Sequence, residues 1–85
     1  MSETITITLK LFAVYQETLG RSEEKMVLPV GTTAGEVRDR LIVEHPTLSN
    51  WKDLTRFGVN LQFAEASTPL GDGDELVLIP PVSGG

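Results

Sequence analysis

Residues 4–11 alternate without a break, with Ile5, Ile7, Leu9 and Leu11 separated by Thr6, Thr8 and Lys10 behind Thr4. A period of two sends every apolar side chain to one side of an extended backbone, and the β-branched residues here favour that geometry. A strand patterned in this way must hide one face, so the chain needs a second layer to cover it. With 85 residues there is room for one small domain and one such core.

The rest of the chain supplies the other parts. Phe12 to Leu19, ending at Gly20, reads either as a short helix or as an irregular connection. Lys25-Met26-Val27-Leu28 is a short strand stopped by Pro29 and the loop at Gly31. Thr33-Ala34-Gly35-Glu36 has the S/T-x-x-E spacing in which hydroxyl and carboxylate satisfy the free amides of a helix start. The helix that follows carries an apolar stripe of Ala34, Val37, Leu41 and Ile42, with Glu36 and Arg40 as an outward i,i+4 pair. Pro46 ends it.

Pro46 to Leu54 reads as a loop with a helical turn, its Trp51 and Leu54 folding back over the core. Phe57, Val59, Leu61 and Phe63 alternate as one further strand. Pro69 to Asp74 is dense in turn residues, and Leu76-Val77-Leu78-Ile79 is an apolar run expected of a central strand covered on both faces. The expected architecture is α+β, a mixed sheet packed on one main helix. The domain is expected to occupy residues 1–80, with residues 81–85 as an extended, flexible Gly-Gly tail.

Composition excludes several classes of function. The formal net charge is −5, and no Lys or Arg follows Arg56. An acidic C-terminal part repels phosphate backbones and anionic lipid, so neither nucleic acid nor membrane is an expected partner. Without cysteine there is no disulfide, zinc-thiolate site or thiol nucleophile. The start Met1-Ser2-Glu3 lacks a basic leader and no apolar stretch approaches ~20 residues, which points to a cytoplasmic protein.

Catalytic signatures are equally sparse. His45, beside a helix-ending proline, reads as a surface or capping residue, and Ser67 and Ser83 have no nucleophile-elbow setting. Asp72-Gly73-Asp74-Glu75 reads as a turn, because Leu76 and Val77 stand where a calcium loop needs ligands. No glycine loop that could cradle phosphate is present. No metal or cofactor is expected on the chain itself.

What stands out chemically is Pro80-Pro81-Val82-Ser83-Gly84-Gly85. Two prolines stiffen the exit from the domain, and two glycines let a partner approach the backbone closely. An α-carboxylate at Gly85 is an anion at neutral pH, with a reference pKa of ~3.3–3.7, and resists nucleophiles until it is activated. Coupling to AMP would make it an acyl electrophile, open to sulfur or to an amine.

Pro69-Leu70-Gly71-Asp72-Gly73-Asp74-Glu75, followed in register by Ile79-Pro80-Pro81-Val82-Ser83-Gly84-Gly85, resembles the ubiquitin-like β-grasp sulfur carriers, most closely their molybdopterin synthase branch. Leu11-Phe12-Ala13, Leu28-Pro29, Gly31-Thr32-Thr33 and Val59-Asn60 extend the resemblance along the chain. Gln16 departs from it, standing where relatives often carry arginine. The resemblance implies that an E1-like adenylyltransferase, using ATP, activates Gly85, with Gly84 beside it, and that a sulfur donor protein converts it to a thiocarboxylate. It implies that the tail then enters the large subunit of molybdopterin synthase and gives sulfur to cyclic pyranopterin monophosphate. In that setting Phe12, Leu78, Ile79, Pro80, Pro81, Val82 and Ser83 are the candidate partner contacts, and the catalytic side chains belong to the partner. Three alternatives remain open on the residues: a carrier for cysteine, thiamine or transfer RNA thiolation, a ubiquitin-like modifier of lysines, and a binding module whose tail is inert.

Overall fold

In a computed structural model, which describes residues 3–81, the alternating segment forms β1 (Thr4–Leu11), with Ile5, Ile7, Leu9 and Leu11 all buried. β1 pairs antiparallel with β2 (Glu23–Pro29). This partner extends beyond residues 25–28 because Glu23 lies opposite Lys10 and the two side chains meet at 2.6 Å. The open alternative for residues 12–19 resolves as a helix, α1 (Ala13–Leu19), closed by Gly20 at φ 76° with its N–H on the Gln16 carbonyl. Left-handed backbone at a helix end is where glycine costs least.

α2 (Ala34–Glu44) starts as the capping pattern requires. The Thr33 hydroxyl accepts from the Glu36 amide at 3.2 Å, and the Glu36 carboxylate accepts from the Thr33 amide at 2.8 Å. That use of Glu36 corrects the expected Glu36–Arg40 pair, which is absent from the ion pairs among the described residues. Ala34, Val37 and Leu41 are buried and Ile42 packs at the rim of the core. Gly35 is needed for proximity: its N–H reaches the Ala66 carbonyl at 2.8 Å, and an added Cβ would lie 3.0 Å from Ala66.

Pro46–Leu54 is a 3₁₀ helix. Residues three apart eclipse in such a helix, so Leu48, Trp51 and Leu54 form one row. The row runs from the core at Leu48 through a half-buried Trp51 to an exposed Leu54. Leu54 therefore does not cover the core, and Leu48, unassigned from sequence, does.

The expected single strand over 57–63 is a hairpin, β3 (Arg56–Val59) and β4 (Gln62–Ala64). Val59 faces Gln62, and Asn60 and Leu61 lie at φ 52° and 70°, as in the type I′ turn that matches strand twist. The alternation thus continues across a chain reversal. β5 (Glu75–Ile79) completes the sheet in the order β2-β1-β5-β3-β4, parallel to β1 and antiparallel to β3. It is central, yet only one face is covered: Leu76 and Leu78 are fully buried, whereas Val77 and Ile79 are half-buried on the opposite side. An α+β sheet with its helices on one face explains the difference.

The turn before β5 uses its carboxylates internally. Asp72 accepts from the Thr6 amide at 2.8 Å, and Asp74 accepts from the Gly71 amide at 2.7 Å and from the Asn60 amide group at 2.9 Å. Asn60 also accepts from the Glu75 amide. Among the described residues no acidic or histidine group is arranged to hold a metal, and no helix is long and apolar enough to cross a membrane.

Candidate functional site: the open sheet face and the tail root

Because side chains alternate across a strand, burying Leu9, Leu11, Leu76, Leu78 and Phe57 against the helices sends their neighbours to the other face. Register places Lys10 opposite Val77, Gly58 between Val77 and Phe63, and Arg56 opposite Ile79. Phe12, at the end of β1, is 51% exposed, Leu61 90% and Phe63 83%. Together with Val77 and Ile79 they frame a shallow depression of about 430 Å³ edged by Lys10, Gln62 and Glu75. Its floor is low because Gly58 has no side chain, and an added Cβ there would meet nothing closer than 3.7 Å. Large apolar groups gathered on a polar surface mark a place where another molecule docks.

The backbone around the depression is unusual. Ala13, Asn60 and Leu61 are the non-glycine residues with positive φ among those described. Leu61 lines the depression, and Ala13 lines the adjoining notch with Phe12, Val14, Trp51, Ile79, Pro80 and Pro81. Strained backbone of this kind costs of order 1–3 kcal/mol per residue and collects at functional sites. Leu61 at one such position and Phe12 beside another are exposed and add nothing to the core.

Electrostatics on the other half of this face are self-contained. The Lys10 ammonium hydrogen-bonds the Glu23 carboxylate, raising the lysine pKa and lowering that of the glutamate. Lys25 donates to the Thr8 hydroxyl at 2.9 Å. Beneath the notch, the Thr55 hydroxyl donates to the Trp51 carbonyl at 2.8 Å, so the buried Tyr15 hydroxyl is the donor in its bond to Thr55. Burial pushes the Tyr15 phenol pKa up.

The candidate contacts separate accordingly. Phe12 and Ile79 lie on the open face, Pro80 is buried at its end and Pro81 is exposed. Leu78 is fully enclosed in the core, paired with Leu11 and Phe57, so it has no surface to offer and the contact expected of it is corrected. Val82, Ser83, Gly84 and Gly85 lie outside the described residues. Sequence reading missed Leu61, Phe63 and Val77 on the open face and Tyr15 in the core. Asn60, a residue suited to positive φ, was the available signal for the hairpin that exposes the first two.

Comparison with known proteins agrees with this geometry. The model of the ThiS family matches residues 9–85. The molybdopterin synthase sulfur carrier subunit of Mycobacterium tuberculosis is 33% identical over 82 residues, covering 95% of this chain and 99% of that protein. The crystal structure of small archaeal modifier protein 1 from Haloferax volcanii superposes with a TM-score of 0.77 at 29% identity, covering 92% of this chain and 99% of that one. A complex of subunits 1 and 2 of molybdopterin-converting factor from Helicobacter pylori gives a TM-score of 0.59 at 26% identity, over 95% of this chain and 100% of that one. The chain belongs to the ThiS family of ubiquitin-like β-grasp sulfur carriers.

Proposed function

We propose that this chain is the sulfur-carrying small subunit of a molybdopterin synthase and that Gly85 is its reactive residue. The supporting observation is a family match that runs through the Gly-Gly tail, on a fold whose central strand leads into that tail beside an exposed apolar face. In this reading the Gly85 carboxylate attacks the α-phosphorus of ATP on an E1-like enzyme, and pyrophosphate leaves. A persulfide on a donor protein then displaces AMP: the acyl C–O bond to AMP breaks and a C–S bond forms, giving an acyl disulfide whose S–S bond a thiol reductant opens, the donor leaving as a mixed disulfide. The product is an anionic thiocarboxylate, nucleophilic near neutral pH as low-pKa thiols are.

The open face would then seat on a larger synthase subunit; that subunits 1 and 2 of the Helicobacter pylori molybdopterin-converting factor form a complex supports such a partner. The tail would enter that subunit, and two carriers in succession would supply the two dithiolene sulfurs from a cyclic pyranopterin monophosphate, in the cytoplasm. Phe12, Leu61, Phe63, Val77 and Ile79 would bury apolar area at the interface, with Pro80 and Pro81 directing the tail. ATP is consumed by the activating partner, so this chain needs no cofactor of its own.

Incubation with an E1-like enzyme, ATP and a sulfur donor is expected to add the mass difference of one sulfur replacing one oxygen. An unchanged mass beside a partner active on a control carrier would sink the proposal. Likeness to an archaeal modifier protein favours a second reading, in which Gly85 is joined to lysines of other proteins. Lysine-linked adducts that persist in extract, with no sulfur transfer to the pterin, would select it.

A further inference from the structure

Pro80 and Pro81 sit between two notches that share them. On one side Phe12, Ala13, Val14 and Trp51 line a notch with Ile79, Pro80 and Pro81. On the other, Asp53, Leu54, Thr55 and Arg56 line a second with the same three residues. Both walls depend on the end of the 3₁₀ helix, which is tied down from beneath. Tyr15, fully buried in α1, donates to Thr55, and Thr55 donates to the carbonyl of Trp51. Removing either hydroxyl would leave a buried polar group without its partner, so the tie is specific. The half-buried indole of Trp51 and the half-exposed ring of Phe12 thus stand where the chain leaves the sheet. Neither is spent on the main core, which Leu48 fills from the same 3₁₀ row.

From this arrangement we infer that Trp51 and Phe12 form an aromatic clamp on Pro80-Pro81, with the Tyr15–Thr55–Trp51 chain of hydrogen bonds as its support. The clamp fixes the direction in which the chain leaves β5. Trp51 is a positioning residue, acting on the reactive end through the prolines. Proline suits such a clamp because its ring is flat-sided and apolar and its φ is already fixed, so little freedom remains to be lost. A chain end held in one direction loses less freedom on entering a narrow channel, so the clamp favours binding rather than the chemical step. The clamp itself is a property of the chain alone; its use in activation rests on the sulfur-carrier reading.

The test uses the full chain in two arms. In the first, ¹³Cα relaxation of Pro81 is measured in the wild type, Trp51→Ala, Trp51→Phe and Thr55→Val, each checked for folding by its methyl and amide spectra. The expected order parameter is ~0.8 in the wild type, below ~0.6 in Trp51→Ala, and close to wild type in Trp51→Phe. Thr55→Val, which keeps the indole and cuts its support, is expected to fall between them. Equal values across the folded variants overturn the clamp.

In the second arm the same proteins are substrates for ATP–pyrophosphate exchange by the E1-like enzyme. Trp51→Ala is expected to raise KM about tenfold with kcat nearly unchanged, and Trp51→Phe to restore it. A loosened Pro81 with an unaltered KM overturns the role in activation. A wild-type chain that supports no exchange counts against the carrier reading, while the clamp is still decided by the relaxation arm.

Discussion

The two faces of the sheet are made by the same strands and differ in almost every other respect. On one, Ile5, Ile7, Leu9, Leu11, Phe57, Leu76 and Leu78 are sealed against α1, α2 and the 3₁₀ helix. On the other, Phe12, Leu61 and Phe63 stand in solvent beside half-buried Val77 and Ile79. Apolar area on the first face is already removed from water and holds the fold together. Equivalent area on the second is left uncovered by the described residues and is available to another protein. Stability and recognition are thereby assigned to alternate residues of one sequence, and it should be possible to damage either alone.

The largest expected effect is on the core face. Leu9→Ala removes a fully buried side chain and should lower unfolding free energy by about 2–5 kcal/mol, read by urea titration; a loss near zero would break the division of labour. Phe63→Asp is the matching test across the sheet. Its unfolding free energy should stay within about 0.5 kcal/mol of wild type, while affinity for a large synthase subunit, measured by calorimetry, should drop at least ~30-fold, as for an interface anchor. Comparable damage to stability would mean that Phe63 belongs to the core after all.

Tyr15→Phe sharpens the boundary between the faces, since its hydroxyl lies under the tail root. A loss of about 1 kcal/mol is expected from the deleted hydrogen bond to Thr55. Burial raises the Tyr15 pKa in the fold, so the folded state holds its proton more tightly than the unfolded one. That contribution is complete below the ordinary tyrosine pKa of ~10 and is lost as pH rises beyond it. The alkaline fall in melting temperature should therefore be shallower in Tyr15→Phe than in wild type.

The smallest effect is expected at Lys10–Glu23, an exposed ion pair on the open face. Because Lys10 lowers the Glu23 pKa, the pair supports the fold above the ordinary carboxylate value of ~4.3 and its contribution disappears as pH falls below that. Glu23→Gln should thus differ slightly from wild type in melting temperature at pH 7 and not at all in strong acid. A difference that persists in acid would show that packing, not charge, links the two residues.

Much of the core face was readable in the sequence, because period-two alternation in β1 and the Thr33–Glu36 cap are local signals with local causes. The open face was much less so. Val77 is indistinguishable from Leu76 and Leu78 as an apolar residue in an apolar run; only the sheet order and the placement of the helices determine which side is left bare. Leu61 and Phe63 were hidden by an alternation that continues through a two-residue turn, whose recognition depends on backbone dihedrals that leucine seldom adopts. Leu54, expected over the core, stands in solvent and Leu48, without an expectation, fills the core for a similar reason, since a 3₁₀ row passes from core to solvent within two turns. The tail was conspicuous from composition and turn residues, whereas the aromatic residues at its root became visible only when residues 12, 51 and 80 were brought together in space.

β5 lies in the middle of the sheet, bonded on one side to β1 and on the other to β3, and the tail is its direct continuation. Tension applied at residue 81 is consequently shared by two ladders whose hydrogen bonds run across the direction of pull and must shear together. Were the tail attached to an edge strand such as β4, the same tension could peel one ladder open a bond at a time. The domain is mechanically suited to bear a load applied at residue 81 without unravelling.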